Sequence, residues 1–199
     1  MARPVLTKKP ATYADLEALE PHLTGQLLDG ELFATRHPDV LHARVTSTLG
    51  MELGGPFQRG RGGPGGWWIL DEPELHLGPR VLVPDLAGWR TERMRQPPST
   101  PAIALAPDWV CEVLSPSTAS IDRVAKKRIS AREGVQWCWL IDPEAKTLEA
   151  YQLENGRWVE LGTWSGEDTP RVTPFEAIEL QLSALWSLNE PAPSAPGRE

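Results

Sequence analysis

Cysteine is scarce in this chain: 199 residues carry two, Cys111 and Cys138. Both lie in apolar stretches, Trp-Val-Cys-Glu-Val and Trp-Cys-Trp-Leu-Ile, and no C-x-x-C or H-x-x-x-H spacing occurs. They read as small buried hydrophobes, not as a disulfide or a zinc site. No run approaches the roughly 20 apolar residues of a membrane span, and the N-terminal segment lacks the apolar stretch of a secretory signal. A cytoplasmic protein is expected. Positive charge is also short: 20 Lys and Arg face 27 Asp and Glu, a net charge of -7. Domains that hold DNA by bulk charge carry a basic footprint, so only a small local basic patch remains open. The nucleophile elbow G-x-S-x-G, the P-loop and G-x-G-x-x-G are all missing.

Hydrophobic residues make up 40% of the chain, enough for a core. The length suits one domain, residues 1–188, followed by a Pro-, Ser- and Ala-rich stretch, 189–199, expected to be disordered. Nine tryptophans are many for this length; they are assigned to the core and strand surfaces, with base stacking open to one or two. Thr12 with Asp15 forms a capping-box pattern that opens a short helix to about Glu20. Asp29-Gly30 marks a hairpin within residues 26–33. Pro38 and Asp39 open a helix in which Leu41, Val45, Leu49 and Leu53 keep helical spacing and Gly54 is the stop. Residues 54–66 are so rich in glycine that a mobile loop is expected; its Arg59 and Arg61 either touch a phosphate backbone or keep the loop soluble. Strand patterns follow at 67–70, extendable to 77, at 80–87 and at 109–114. A helix from about Ser120 to Gly134 carries Ile121, Val124, Ala125 and Ile129 on one face. Residues 137–142 form a further buried strand, Asn155-Gly156 marks a second hairpin, and 183–188 a last short helix. The order helix, three strands, helix, strand predicts an α/β (α+β) fold, a mixed sheet covered by helices with added β-hairpins.

Two carboxylates interrupt the apolar strand patterns. Glu112 lies in the middle of Trp109-Val-Cys-Glu-Val-Leu114, and Asp85 ends Val81-Leu-Val-Pro-Asp85. A buried charge is costly without a partner, so each needs one. By period-two alternation Glu112 shares a face with Val110 and Leu114, and Asp85 with Val81 and Val83. If the two strands are neighbours, the acids converge at one end of the sheet, where they repel unless protonated or bridged by a cation. Mg²⁺ (or Mn²⁺) accepts such a pair plus waters and phosphate oxygens. Lys126, four residues after Asp122 on the next helix, could orient or activate a water or stabilise a phosphate. The plainer alternative is an exposed Asp122–Lys126 helix pair. His42 is placed toward the sheet, either as a satisfied boundary histidine or in the site. Glu31 either reaches the same cleft or stays at the surface. Pro107-Asp108 is a rival acid, too close to the Glu112 strand to sit on a separate one, and is read as a loop end.

Taken as a set, Leu27-Leu-Asp-Gly-Glu-Leu32, Val83-Pro-Asp85, Val110-Cys-Glu-Val-Leu-Ser-Pro-Ser-Thr118, Asp122-Arg-Val-Ala-Lys126, Ala131-Arg-Glu-Gly-Val135 and Trp139-Leu-Ile-Asp-Pro143 resemble the Uma family of bacterial restriction-endonuclease-like proteins, over residues 12–186. The resemblance implies the PD-(D/E)XK nuclease fold with its αβββαβ core. It also implies Mg²⁺ or Mn²⁺ held by Asp85 and Glu112, Lys126 as the catalytic lysine, and DNA as the substrate. In the usual motif the lysine stands two residues after the second acid, where this chain has Leu114; the family supplies it from the following helix. A further family acid falls where this chain has Gln26, and a tyrosine where it has Ser130. The implied activity is metal-dependent endonucleolytic hydrolysis of DNA. One alternative is a nuclease-fold module that binds or regulates without turnover, to which Gln26 and the acidic balance point. Another is a structural domain in which Glu112 is paired to Arg123 or Lys126. A homodimer is expected by analogy with nucleases of this fold that pair to cut both strands.

Overall fold

The structure, a computed structural model, describes residues 4–5 (backbone only), 9–36 and 38–187; the expected tail, 189–199, lies outside the described residues. The chain opens with strand β1 (Pro4–Val5), helix α1 (Tyr13–Glu17) and the hairpin of β2 (Leu23–Leu28) and β3 (Glu31–Arg36). The Asp15 carboxylate accepts from both the Thr12 backbone N–H and the Thr12 hydroxyl at 2.7 Å, which starts α1. Asp29 and Gly30 have φ of 51° and 88°, the two left-handed residues that a type I′ turn requires. Helix α2 (Val40–Leu53) begins at Asp39, whose carboxylate accepts the His42 N–H at 2.9 Å.

Gly54 does not end α2. The chain continues through a π-helical turn, Gly54–Gln58. Pro56 has no N–H to give an α-helical ladder, and the wider turn lets Arg59 N reach Gly54 O at 3.1 Å. The segment expected to be a mobile loop is therefore pinned, with Phe57 1% exposed in the core.

Strands β4 (Trp67–Asp71), β5 (Glu74–Leu77), β6 (Arg80–Leu82), β7 (Leu86–Arg90), β8 (Ala102–Ile103) and β9 (Trp109–Val113) follow. Helix α3 is π-helical over Ile121–Lys126 and α-helical over Lys127–Arg132. It leads to β10 (Trp137–Asp142), β11 (Thr147–Glu154), β12 (Arg157–Ser165) and α4 (Ser183–Trp186). One sheet runs β1-β3-β2-β6-β5-β8 and the other β12-β11-β10-β9-β7-β4. In the second, β9 and β10 are parallel, joined through α3, and all other neighbours are antiparallel. The expected αβββαβ core is thus α2, β4, β7, β9, α3 and β10.

The residues read as one strand over 80–87 are two. Pro84 cannot donate to a ladder, and the chain passes there from one sheet to the other. The strand read at 67–70 does not extend unbroken to 77: it stops at Glu72, which has φ of 43°, and Pro73. Both faces of the second sheet are covered, so β9 is buried throughout. On one face α2 packs against Trp109, Trp139 and Phe175, whose rings meet at 4.9–5.5 Å. On the other, α3 and the first sheet pack against Val110, Leu114 and Leu140. Helical spacing placed Val124 on the inner face of α3, but it is 63% exposed, while Asp122, Lys126, Ile129 and Ser130 are buried. Asp108, read as a loop end, is a buried pin: it accepts the Arg90 N–H at 2.8 Å and pairs with Arg93.

Asp29 ties the first hairpin to the rest. Arg80, Arg128 and Arg132 all reach its carboxylate, at 2.7 to 3.0 Å, and the Arg80 hydrogen bond holds that carboxyl below its ordinary value. Its side chain is 26% exposed, so solvent screens the pairs. Asp29→Asn keeps the turn and is expected to cost about 1 kcal/mol in thermal denaturation at pH 7. A group with a lowered folded-state pKa contributes stability that is lost in acid. The gap between wild type and variant is therefore expected to close as the pH falls below about 4.

Candidate active site

Pairing between β7 and β9 ends with Leu86 opposite Cys111. Carried one residue further, that register would set Asp85 across from Glu112, with both side chains on one face. Asp85 replaces the next rung of the ladder with its own side chain: Oδ2 accepts the Val113 backbone N–H at 2.6 Å. Its backbone carbonyl accepts the Glu72 N–H at 3.0 Å, and Oδ1 lies 3.3 Å from His42 Nε2. Gln26, on β2, accepts the Val83 N–H at 2.9 Å through Oε1 and so holds the segment that carries Asp85.

Lys126 reaches in from the π-helical turn. Its Nζ lies 2.8 Å from Glu112 Oε2 and 3.1 Å from Asp122 Oδ1, and donates to Val83 O at 3.3 Å. The Asp122 contact is an ion pair without a well-aligned hydrogen bond, because Oδ1 is buried and has no bonded donor. Side-chain exposures of 7%, 5% and 3% for Lys126, Glu112 and Asp122 rule out the exposed helix pair that the spacing allowed. Arg123 pairs instead with Glu149, at 2.7 Å, and not with Glu112.

These groups border an open cavity of about 790 Å³, lined among others by Gln26, His42, Glu72, Asp85, Asp122 and Lys126. Glu112 is not on its wall; its carboxylate is approached through Lys126. Glu31 is exposed on the far side of its turn and does not reach the cavity, because it directly follows Gly30 at the end of the hairpin. Asp122 and Glu72 are the acids that the strand patterns missed. Asp122 was legible only as a helix partner of Lys126, since nothing in the spacing turns that pair inward.

Three carboxylates, on Asp85, Glu112 and Asp122, share two potential cations. Burial pushes the Glu112 carboxyl well above its ordinary value, with Lys126 opposing and Asp122 and Asp85 reinforcing. Burial also opposes the charge on Lys126, but Asp122 and Glu112 more than offset it and raise its pKa. The ammonium of Lys126 is thus held in its charged form by the acids around it. His42 behaves similarly: burial disfavours its charge, yet the hydrogen bond and charge of Asp85 raise its pKa above the usual value. The surplus of acid is the signature of a place that favours added positive charge. Among the described residues, no three or more His, Cys, Asp or Glu side chains converge as a ready-made cage. The donors on offer are Asp85, on the wall of the open cavity, and Glu112 behind Lys126, a chemistry that suits Mg²⁺, which binds through one or two carboxylates and keeps several waters.

The family profile described as "Uma2: Putative restriction endonuclease" matches residues 10–185. No curated protein matches the chain. Among solved structures, a putative nuclease belonging to DUF820 from Anabaena variabilis is 21% identical, with a TM-score of 0.71, over 89% of this chain and 98% of that one. That likeness establishes the fold. Among the described residues no helix is long and apolar enough to cross a membrane.

Lys126→Met leaves Glu112 and Asp122 buried without their ammonium and is expected to cost about 3–5 kcal/mol in denaturation. Glu112→Gln keeps an acceptor for Nζ and removes the surplus charge, so the chelator-treated variant is expected to melt at or above the wild-type temperature. A raised folded-state pKa contributes stability at low pH that is lost as the pH rises. Wild type is therefore expected to lose stability relative to Glu112→Gln as the pH climbs from about 4 toward neutrality.

Proposed function

The chain belongs to the Uma2 family, described as putative restriction endonucleases, and from that premise we propose that it hydrolyses phosphodiester bonds of DNA with the help of Mg²⁺ or Mn²⁺. What supports this reading is that Asp85 and Lys126 line one open cavity, that Lys126 bridges to Glu112, and that the β7–β9 register carried one residue past Leu86 would set Asp85 across from Glu112. Asp85 and Glu112 are the residues that would hold the metal. When bound, the metal supplies a better nucleophile from its water and offsets charge that develops on the phosphorus oxygens.

The chain's own groups do the rest. The Val113 N–H fixes one oxygen of Asp85 and His42 orients the other, so the carboxylate is held before any ligand arrives. Lys126 leaves Glu112 Oε2 to free that carboxylate, stays tethered to Asp122, and presents its ammonium to the attacking water or to the phosphate. Gln26 keeps the Val83-Pro-Asp85 segment in register. A second reading, a module that binds DNA without turnover, is favoured by one observation: Lys126 closes on Glu112 and keeps it off the cavity wall.

Wild type incubated with supercoiled plasmid is expected to nick or linearise it in Mg²⁺ or Mn²⁺ and not in EDTA. Asp85→Asn and Glu112→Gln are each expected to reduce cleavage at least about 100-fold while remaining folded. Undiminished cleavage in either variant defeats the assignment; metal-dependent binding without any cleavage by wild type favours the second reading.

A further inference from the structure

A second cavity, of about 420 Å³, adjoins the first. Its walls include Arg59, Arg61, Asp71 and Leu86. Asp71 and Leu86 form the last register pair of β4 and β7, and the next two residues, Glu72 and Asp85, line the first cavity. The two spaces therefore meet along the end of the β4–β7 pair. Helix α2 runs past both, with His42 at the first and Gly50 and Met51 at the second.

The segment that carries Arg59 and Arg61 is a built wall. Phe57 anchors it in the aromatic core, 4.7 Å from Phe175. The Gln58 side chain accepts the Ile69 N–H at 3.0 Å. Arg61 N donates to Gly55 O, and Gly65 N to Pro56 O, both at 2.9 Å. A Cβ at Gly63 would stand 2.4 Å from Pro56 Cβ, so the backbone passes too close there for any side chain.

The distribution of free guanidinium groups is uneven. Of 13 arginines among the described residues, most are engaged with carboxylates, backbone carbonyls or tryptophan rings. Arg36, Arg59, Arg61, Arg95 and Arg157 are exposed and make no side-chain hydrogen bond, ion pair or ring contact. Three of those five line the two cavities: Arg36 the first, Arg59 and Arg61 the second. In a chain of net charge -7, uncommitted planar cations have collected where a polyanion would lie.

We propose that Arg36, Arg59 and Arg61 hold the phosphodiester backbone of duplex DNA in the two cavities that adjoin Asp85. The choice of DNA rests on the proposed function; the choice of a phosphate backbone rests on the unpaired guanidinium groups, which suit phosphate oxygens.

The test is binding of a fluorescent DNA duplex by anisotropy in EDTA across a salt series, which needs no cleavage. Arg36→Ala and the double variant Arg59→Ala/Arg61→Ala are each expected to weaken binding. The triple variant is expected to lower the slope of log K against log salt by about 2–3, near 0.9 per lost phosphate contact. Arg157→Ala is the control: it lies on β12, at the opposite edge of the second sheet from β4, and is expected to bind as wild type. None of these side chains holds the fold, and unchanged melting temperatures check that. An unchanged slope in the triple variant, an equal loss in Arg157→Ala, or no salt-dependent binding by wild type overturns the proposal. Arginine-dependent binding without metal-dependent cleavage keeps this inference and removes the hydrolase reading. Cleavage by wild type with unaffected binding in the triple variant does the reverse.

Discussion

One buried ammonium organises this molecule's interior. Lys126 is shared by Glu112, Asp122 and the Val83 carbonyl, and those three belong to a central strand, a helix and the segment that crosses between the sheets. An apolar side chain there would leave two acids facing one another in a low dielectric. The charge of Lys126 lets β9 keep an acid amid residues that are otherwise hydrophobic, and it ties α3 to the strand whose partner strand carries Asp85. Packing on both faces of the second sheet then closes around a cluster that no solvent-facing arrangement could hold.

Local chemistry made much of this legible in the chain. Asp29-Gly30 and Asn155-Gly156 are turns because both positions of each need left-handed backbone, and the strand containing Glu112 announces itself by its unbroken apolar neighbours. What stayed hidden depends on partners distant in sequence. The apolar pattern runs through Pro84 as if one strand covered 80–87, and nothing local shows that its two sides join different sheets. Residues 54–58 look too rich in glycine for structure, yet the burial of Phe57 holds them. Val124 was assigned inward beside Ile121 and Ala125, but the buried face is the one that Asp122, Lys126, Ile129 and Ser130 share, because two charged residues there find each other inside. Of the two readings left open for Glu31, cleft or surface, its exposure and absence from the cavity wall favour the surface.

An acidic chain and the proposed nucleic-acid chemistry are compatible because the charges are sorted. Asp29 draws three arginines into a structural node, and Glu149 takes Arg123. Carboxylates neutralise cations across the body of the protein. The positive charges left over are few, and their position is the informative quantity, since net charge averages away the contrast between a neutralised surface and an open cleft.

The turn at 121–126 is wound wider than the helix that follows it. Shortening it by a single residue would relax that winding into an ordinary α-helix, which local energetics would favour. The same relaxation would turn the Asp122 end of the segment relative to Ile129 and Ser130, which are buried on the α-helix that follows. An insertion or deletion between Ser115 and Ile129 is therefore expected to disable the cluster more surely than most single substitutions there.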